Sequence, residues 1–88
     1  MSNLLFIRKI SDNHELDLSD AEIRIISFRY SKINNKKIVN QVGGSIKKCM
    51  SIKKLLEIGN KDVVKQLMNK LLNNELKGIE FICHKFIE

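Results

Sequence analysis

The chain has 88 residues, a formal net charge of +6, and 43% hydrophobic against 30% charged residues. That length holds one domain at most, and the apolar fraction can fill a small core without staples. No stretch approaches the roughly 20 apolar residues of a membrane span. The N-terminal run Met1 to Ile10 carries its charge after the apolar segment and lacks a small-residue cleavage site, so it is no signal peptide and the expected compartment is the cytoplasm.

Residues 4–10 alternate Leu4, Phe6 and Arg8 with Leu5, Ile7 and Lys9, which predicts a strand. Ser11, Asp12, Asn13 and His14 are turn formers, and residues 15–18 can return as the second strand, so 1–17 reads as a β-hairpin. Ser19, Asp20, Ala21 and Glu22 form a capping box. The helix behind it runs to about Ser31, with Ile23, Ile26 and Tyr30 at helical spacing and Ile25 and Phe28 broadening the apolar face. A short helix is predicted over 35–42, ended by Gly43 and Gly44. Ser45 can cap a third helix over 46–58, which Gly59 closes. A fourth helix over 61–73 carries Val63, Val64, Leu67, Met68, Leu71 and Leu72, a stripe wide enough for core or for core plus a homodimer contact. Residues 79–87 fit a helix by spacing and a strand by composition, with a lean to strand. The expected fold is mainly α, with α+β as the variant: a four-helix core over 18–73 behind the hairpin, followed by an extension or wing over 74–88.

Charge placement says more than net charge. No acid occurs from Ile23 to Leu56, while nine cations do: Arg24, Arg29, Lys32, Lys36, Lys37, Lys47, Lys48, Lys53 and Lys54. Residues 12–22 hold five acids and no cation. A one-sign block in a folded segment attracts polyanions. The bland alternative is a solvated lysine-rich surface.

The stretch from Leu18 to Cys49 resembles the LuxR/GerE-type helix-turn-helix. Leu18, Ser19 and Glu22 match its opening. Asn35, Lys36, Lys37, Ile38 and Val39 match its second-helix run, and Val42, Gly43, Gly44 and Ser45 its turn. Ser45 and Lys47 match the start of its recognition helix, where Lys48 and Cys49 depart from Thr-Val. Lys32 replaces a usual glycine, and Ile52 a usual polar residue. The resemblance covers about half the chain and implies a bacterial transcription regulator that binds double-stranded DNA, with 46–58 as the reading helix. A rival resemblance is to the OmpR/ToxR winged helix, through Leu16 to Ile26, Leu67 to Leu71 and a closing strand pair over 79–87; it makes 61–72 the reading helix.

Roles then divide by side-chain type. Lys36, Lys37 and Lys54 are expected at phosphates, Lys47, Lys48 and Ser51 at base edges, and Ser45 at a phosphate on a helix N-terminus. Arg29, with Arg24, would support the same strand from the first helix. The other class of function is a small basic interaction module, an inhibitor or adaptor, docking on an acidic protein; a regulatory input, for which no receiver or ligand domain is read in these residues, is either absent or expected from a partner protein. No catalytic or cofactor motif occurs, so no enzyme is expected. Adjacent Cys83 and His84 have poor geometry for a metal, and His14 reads as a turn residue. Cys49 and Cys83 read as reduced, buried thiols, with a disulfide between them as the alternative.

Overall fold

A computed structural model describes residues 2–42, 45–75, 79, 82 and 83, with backbone alone for 38–42 and 45–48. Among these residues the elements run α1 (Asn3–Asn13), α2 (Asp20–Ser31), β1 (Lys37–Val42), β2 (Ser45–Ser51), α3 (Ile52–Ile58) and α4 (Lys61–Leu72). The mainly helical class is as expected; the positions of its β-structure are not.

The N-terminal segment is a helix, not a strand. Ser2 Oγ caps it by accepting from the Leu5 amide at 3.2 Å, and Ile7, Ile10 and Ser11 are buried at i, i+3 and i+4. The alternation of the run is thus overridden by a helical stripe that meets α2, where the rings of Phe6 and Tyr30 stack 5.4 Å apart. Residues 14–19 form a tight connection instead of a return strand: Glu15 and Asp17 take φ of 53° and 55°, and the Leu16 amide donates to the Ser11 carbonyl at 3.0 Å.

The capping box starts α2 as its sequence requires. Ser19 Oγ accepts from the Glu22 amide at 3.1 Å, and Glu22 Oε1 accepts from the Ser19 amide at 2.9 Å. Arg8 of α1 pairs with Asp20 at 2.9 Å, and the guanidinium holds the Asp20 carboxyl below the usual carboxylate range, first by its hydrogen bond and then by its charge.

The two helices expected around Gly43 and Gly44 are replaced by an antiparallel hairpin. Val42 pairs with Ser45, Gln41 with Ile46, Asn40 with Lys47, and Val39 with Lys48, with a bulge between Lys37 and Val39. The physical reason is legible in the residues. Ile38, Val39, Val42 and Ile46 are β-branched and lose side-chain freedom in a helix. A helix of two turns ending at a glycine pair nucleates poorly. A two-residue glycine connection instead suits a hairpin turn.

Helix returns only at Ile52, where Ser51 Oγ accepts from the Lys54 amide at 3.2 Å; Ile52, Leu55 and Leu56 are buried. Gly59 follows, with φ of −66° and ψ of 152°, extended backbone that any residue adopts. Space is what it supplies: a Cβ there would lie 2.5 Å from the Leu55 carbonyl oxygen and 3.1 Å from Val63 Cγ1. Asn60 caps α4 by accepting from the Val63 amide at 3.0 Å.

Helix α2 packs on α1 and on α4, and α3 packs on α4. The wide stripe of α4 serves this core. Val64, Leu67, Met68 and Leu71 are buried, and Val63 and Leu72 pack against the same cluster. The stripe is therefore used by the chain's own core. Ile79, Ile82 and Cys83 have helical backbone and are buried, so the helical spacing of 79–87 prevails at these positions over the strand lean and over the closing strand pair of a winged helix. The rest of 79–87 lies outside the described residues.

Cys49 and Cys83 are joined in a disulfide, with Cα atoms 5.9 Å apart and 34 residues between them in sequence. The expectation of two reduced thiols is corrected: burial brings both to one place, at the junction of β2 with the C-terminal segment. Among the described residues no helix is long and apolar enough to cross a membrane.

Candidate functional site

The basic residues gather around the hairpin. Lys36 and Lys37 lead into β1 and are exposed, Lys47 and Lys48 lie on β2, and Lys53 and Lys54 are exposed on the first turn of α3. The base of the hairpin is closed where the Lys53 amide donates to the Asn34 carbonyl at 3.2 Å. Apart from the pairing of its own strands, the hairpin's principal contact is that of β2 with α3. At its base Cys49 is buried and Met50 packs against the core, which joins the hairpin to the helical body. Seven residues of β2 reach about 23 Å at a strand's rise.

The five acids of residues 12–22 sit at the other end of α2. That helix has 12 residues, so its ends are about 17 Å apart. This is roughly twice the screening length of physiological salt. Each end therefore shows its own field, and the acids do not cancel the lysines. Glu57, on α3 one turn beyond Lys53, is the first acid after Glu22.

The expected site residues do not all stay together. Lys36, Lys37, Lys47, Lys48 and Lys54 share the ribbon and its base. Ser45 starts β2 and so has no helix N-terminus to offer. Ser51 is occupied as the cap of α3. Arg29 points away from the ribbon's business: its Nη1 donates to the Leu71 carbonyl at 2.8 Å and to the Leu72 carbonyl. It satisfies the last turn of α4, where carbonyls lack helical partners and a cation complements the dipole. With 46–51 in a strand and α3 only seven residues long, there is no reading helix over 46–58.

Ile25 and Phe28 are expected from the sequence to broaden the apolar face of α2. Both are on the surface, 43% and 63% exposed. Lys32 Nζ lies 4.5 Å over the Phe28 ring. A shallow cleft of about 280 Å³ beside it is lined by Phe28, Arg29, Lys32, Ile33 and Asn74. The signal that could have found it is the placement of Phe28, off the Ile23, Ile26 and Tyr30 stripe, among Arg24, Arg29 and Lys32. Among the described residues no group of three or more His, Cys, Asp or Glu side chains could hold a metal ion.

Comparison with known protein families, with characterised proteins and with solved structures gives no match for this chain.

Proposed function

We propose that this protein binds double-stranded DNA through the hairpin Lys37–Val42 and Ser45–Ser51 and acts as a cytoplasmic transcription regulator. The observation that carries the reading is the ribbon itself: a two-stranded, acid-free arm with Lys47 and Lys48 on it and Lys36, Lys37, Lys53 and Lys54 at its base. A two-stranded ribbon fits a major groove about 12 Å wide, since its strands are only about 4.8 Å apart. Lysines at the base are suited to the flanking phosphates, which supply affinity and register. Ribbon residues opposite one another, Asn40 with Lys47 and Val39 with Lys48, are suited to base edges. The helix-turn-helix geometry has no part in this reading.

Disulfides are uncommon in the reducing compartments where DNA is regulated. Its loss would weaken the domain but leave the ribbon tied at its base by the contact of β2 with α3 and by the hydrogen bond from the Lys53 amide to the Asn34 carbonyl. The second reading, a basic module on an acidic protein, takes its support from the exposed Ile25 and Phe28. Titration of labelled duplex DNA by fluorescence anisotropy separates the two. Binding at low salt that weakens as salt rises, and is lost in K47E/K48E, is the expected result. Absence of binding at about 50 mM salt, where phosphate contacts are strong, refutes the DNA reading and leaves the protein partner.

A further inference from the structure

The surface of α2 near the ribbon has a chemistry of its own. Phe28 presents its ring at 63% exposure. Such exposure of a large aromatic side chain gives up burial that would stabilise the fold. Among the described residues the cleft beside the ring is lined by Arg29 and Lys32 and by no acid; the Arg29 guanidinium is held by the α4 carbonyls, which leaves Lys32 to meet the ligand. The cleft's remaining polar side chain is Asn74, whose backbone is fixed at φ 57° just after α4. An amide both donates and accepts hydrogen bonds. The ligand that matches a flat ring, a cation and an amide is flat, hydrogen-bonding and anionic.

We infer that the Phe28–Asn74 cleft holds an unpaired nucleotide of a nucleic-acid strand, its base on the Phe28 ring, its edge at Asn74 and its phosphate at Lys32. The inference rests on the reading of the chain as a nucleic-acid binder, and it adds a single-stranded element to the substrate. Aromatic rings serve as stacking platforms for bases of any sequence. The Lys32 ammonium now sits over the ring. Its stem is flexible, so a base can replace it on the ring while the ammonium turns to the attached phosphate, a stronger partner than the ring's quadrupole. The position is favourable too. Only Ile33, Asn34 and Asn35 separate Lys32 from Lys36 and Lys37 at the ribbon base, so duplex on the ribbon and an unpaired end in the cleft belong to one basic field.

The test compares a blunt duplex with the same duplex bearing a single-stranded overhang, by anisotropy at one salt concentration. The overhang carries 2-aminopurine, whose fluorescence falls on stacking. The overhang duplex is expected to bind about tenfold tighter, the scale of one stacked base, with quenching on binding. Phe28→Ala should remove the preference and the quenching and leave blunt-duplex affinity unchanged; Phe28 is exposed, so folding survives the change. Phe28→Tyr should keep both. Asn74→Gly, which retains the left-handed backbone while removing the amide, should reduce the preference. Equal affinity for the two duplexes, a preference that survives Phe28→Ala, or an acidic peptide that saturates the cleft without any base stacking overturns the inference. A single strand that binds through Phe28 while blunt duplex does not bind refutes the ribbon and leaves the cleft standing.

Discussion

Opening the Cys49–Cys83 bond should destabilise the domain severely. The bond closes a loop of 34 residues' separation that contains α3 and α4. Loop-closure entropy for that length corresponds to about 4 kcal/mol lost from the native state's advantage on reduction. A domain of this size has about 4–13 kcal/mol in all. The change is thus a third or more of the total, and the melting temperature should fall by about 15–30 °C at the usual scale for small domains. Both sulfurs are buried, so the protein is best reduced in denaturant and returned to buffer with reductant. Urea titrations of the oxidised and reduced forms, followed by far-UV circular dichroism, then give the two stabilities. A larger m-value for the reduced form is also expected, because its unfolded chain is less compact. A difference below about 1 kcal/mol would contradict the constraint, and two titratable thiols in denatured protein purified without reductant would contradict the pairing itself.

Three further outcomes test other parts of the fold. Arg29→Met keeps the stem but removes the hydrogen bonds to the Leu71 and Leu72 carbonyls; it should cost about 2 kcal/mol in urea unfolding and leave DNA affinity of the folded protein unchanged, whereas lost affinity with full stability would return Arg29 to the binding surface. Leu67→Ala, at a fully buried position, should cost about 2–5 kcal/mol without altering the mass seen by light scattering, and a change of mass at unchanged stability would restore a dimer contact on α4. Tyr30 is the one tyrosine of a chain without tryptophan, and burial, with a smaller contribution from the Glu57 charge, pushes its hydroxyl up to about 12. The unfolded phenol ionises near 10. The resulting stability is complete below about pH 10 and is lost as pH rises through the folded value, so phenolate absorbance should appear only near pH 12 or together with unfolding; a native-state transition near the ordinary phenol value contradicts the burial of Tyr30.

Helices with local stop and start signals were legible in the sequence. The capping box at Ser19 to Glu22 fixed the start of α2, and the six-residue apolar stripe fixed α4 to within a residue of its end. What misled was tertiary context and a turn signal. Residues 4–10 satisfy both periods, since Phe6, Ile7 and Ile10 make a helical stripe within an alternating run; only packing on Tyr30 decides between them. Gly43–Gly44 between β-branched runs is a hairpin signature as much as a helix stop, and a likeness to a known motif directed it the wrong way. The Cys49–Cys83 bond was legible only as the alternative to two thiols, because the choice depends on how β2 and the C-terminal segment are brought together. For the candidate site the charge pattern survived the change of secondary structure: the lysines were found, while their platform turned from a helix into a ribbon. Phe28 was lost because an aromatic residue on an amphipathic helix is more often core than surface.

The most direct test of the account is the salt dependence of duplex binding. Six lysines, Lys36, Lys37, Lys47, Lys48, Lys53 and Lys54, surround the ribbon. The four at its base, Lys36, Lys37, Lys53 and Lys54, are suited to phosphates, so log affinity against log salt should fall with a slope of about −3.6. K47E/K48E, with secondary structure and thermal stability retained, should abolish binding at physiological salt by placing two acids where the ribbon meets the DNA. No binding by the wild type at low salt, or binding that K47E/K48E leaves intact, would contradict the assignment of the hairpin as the DNA-binding element.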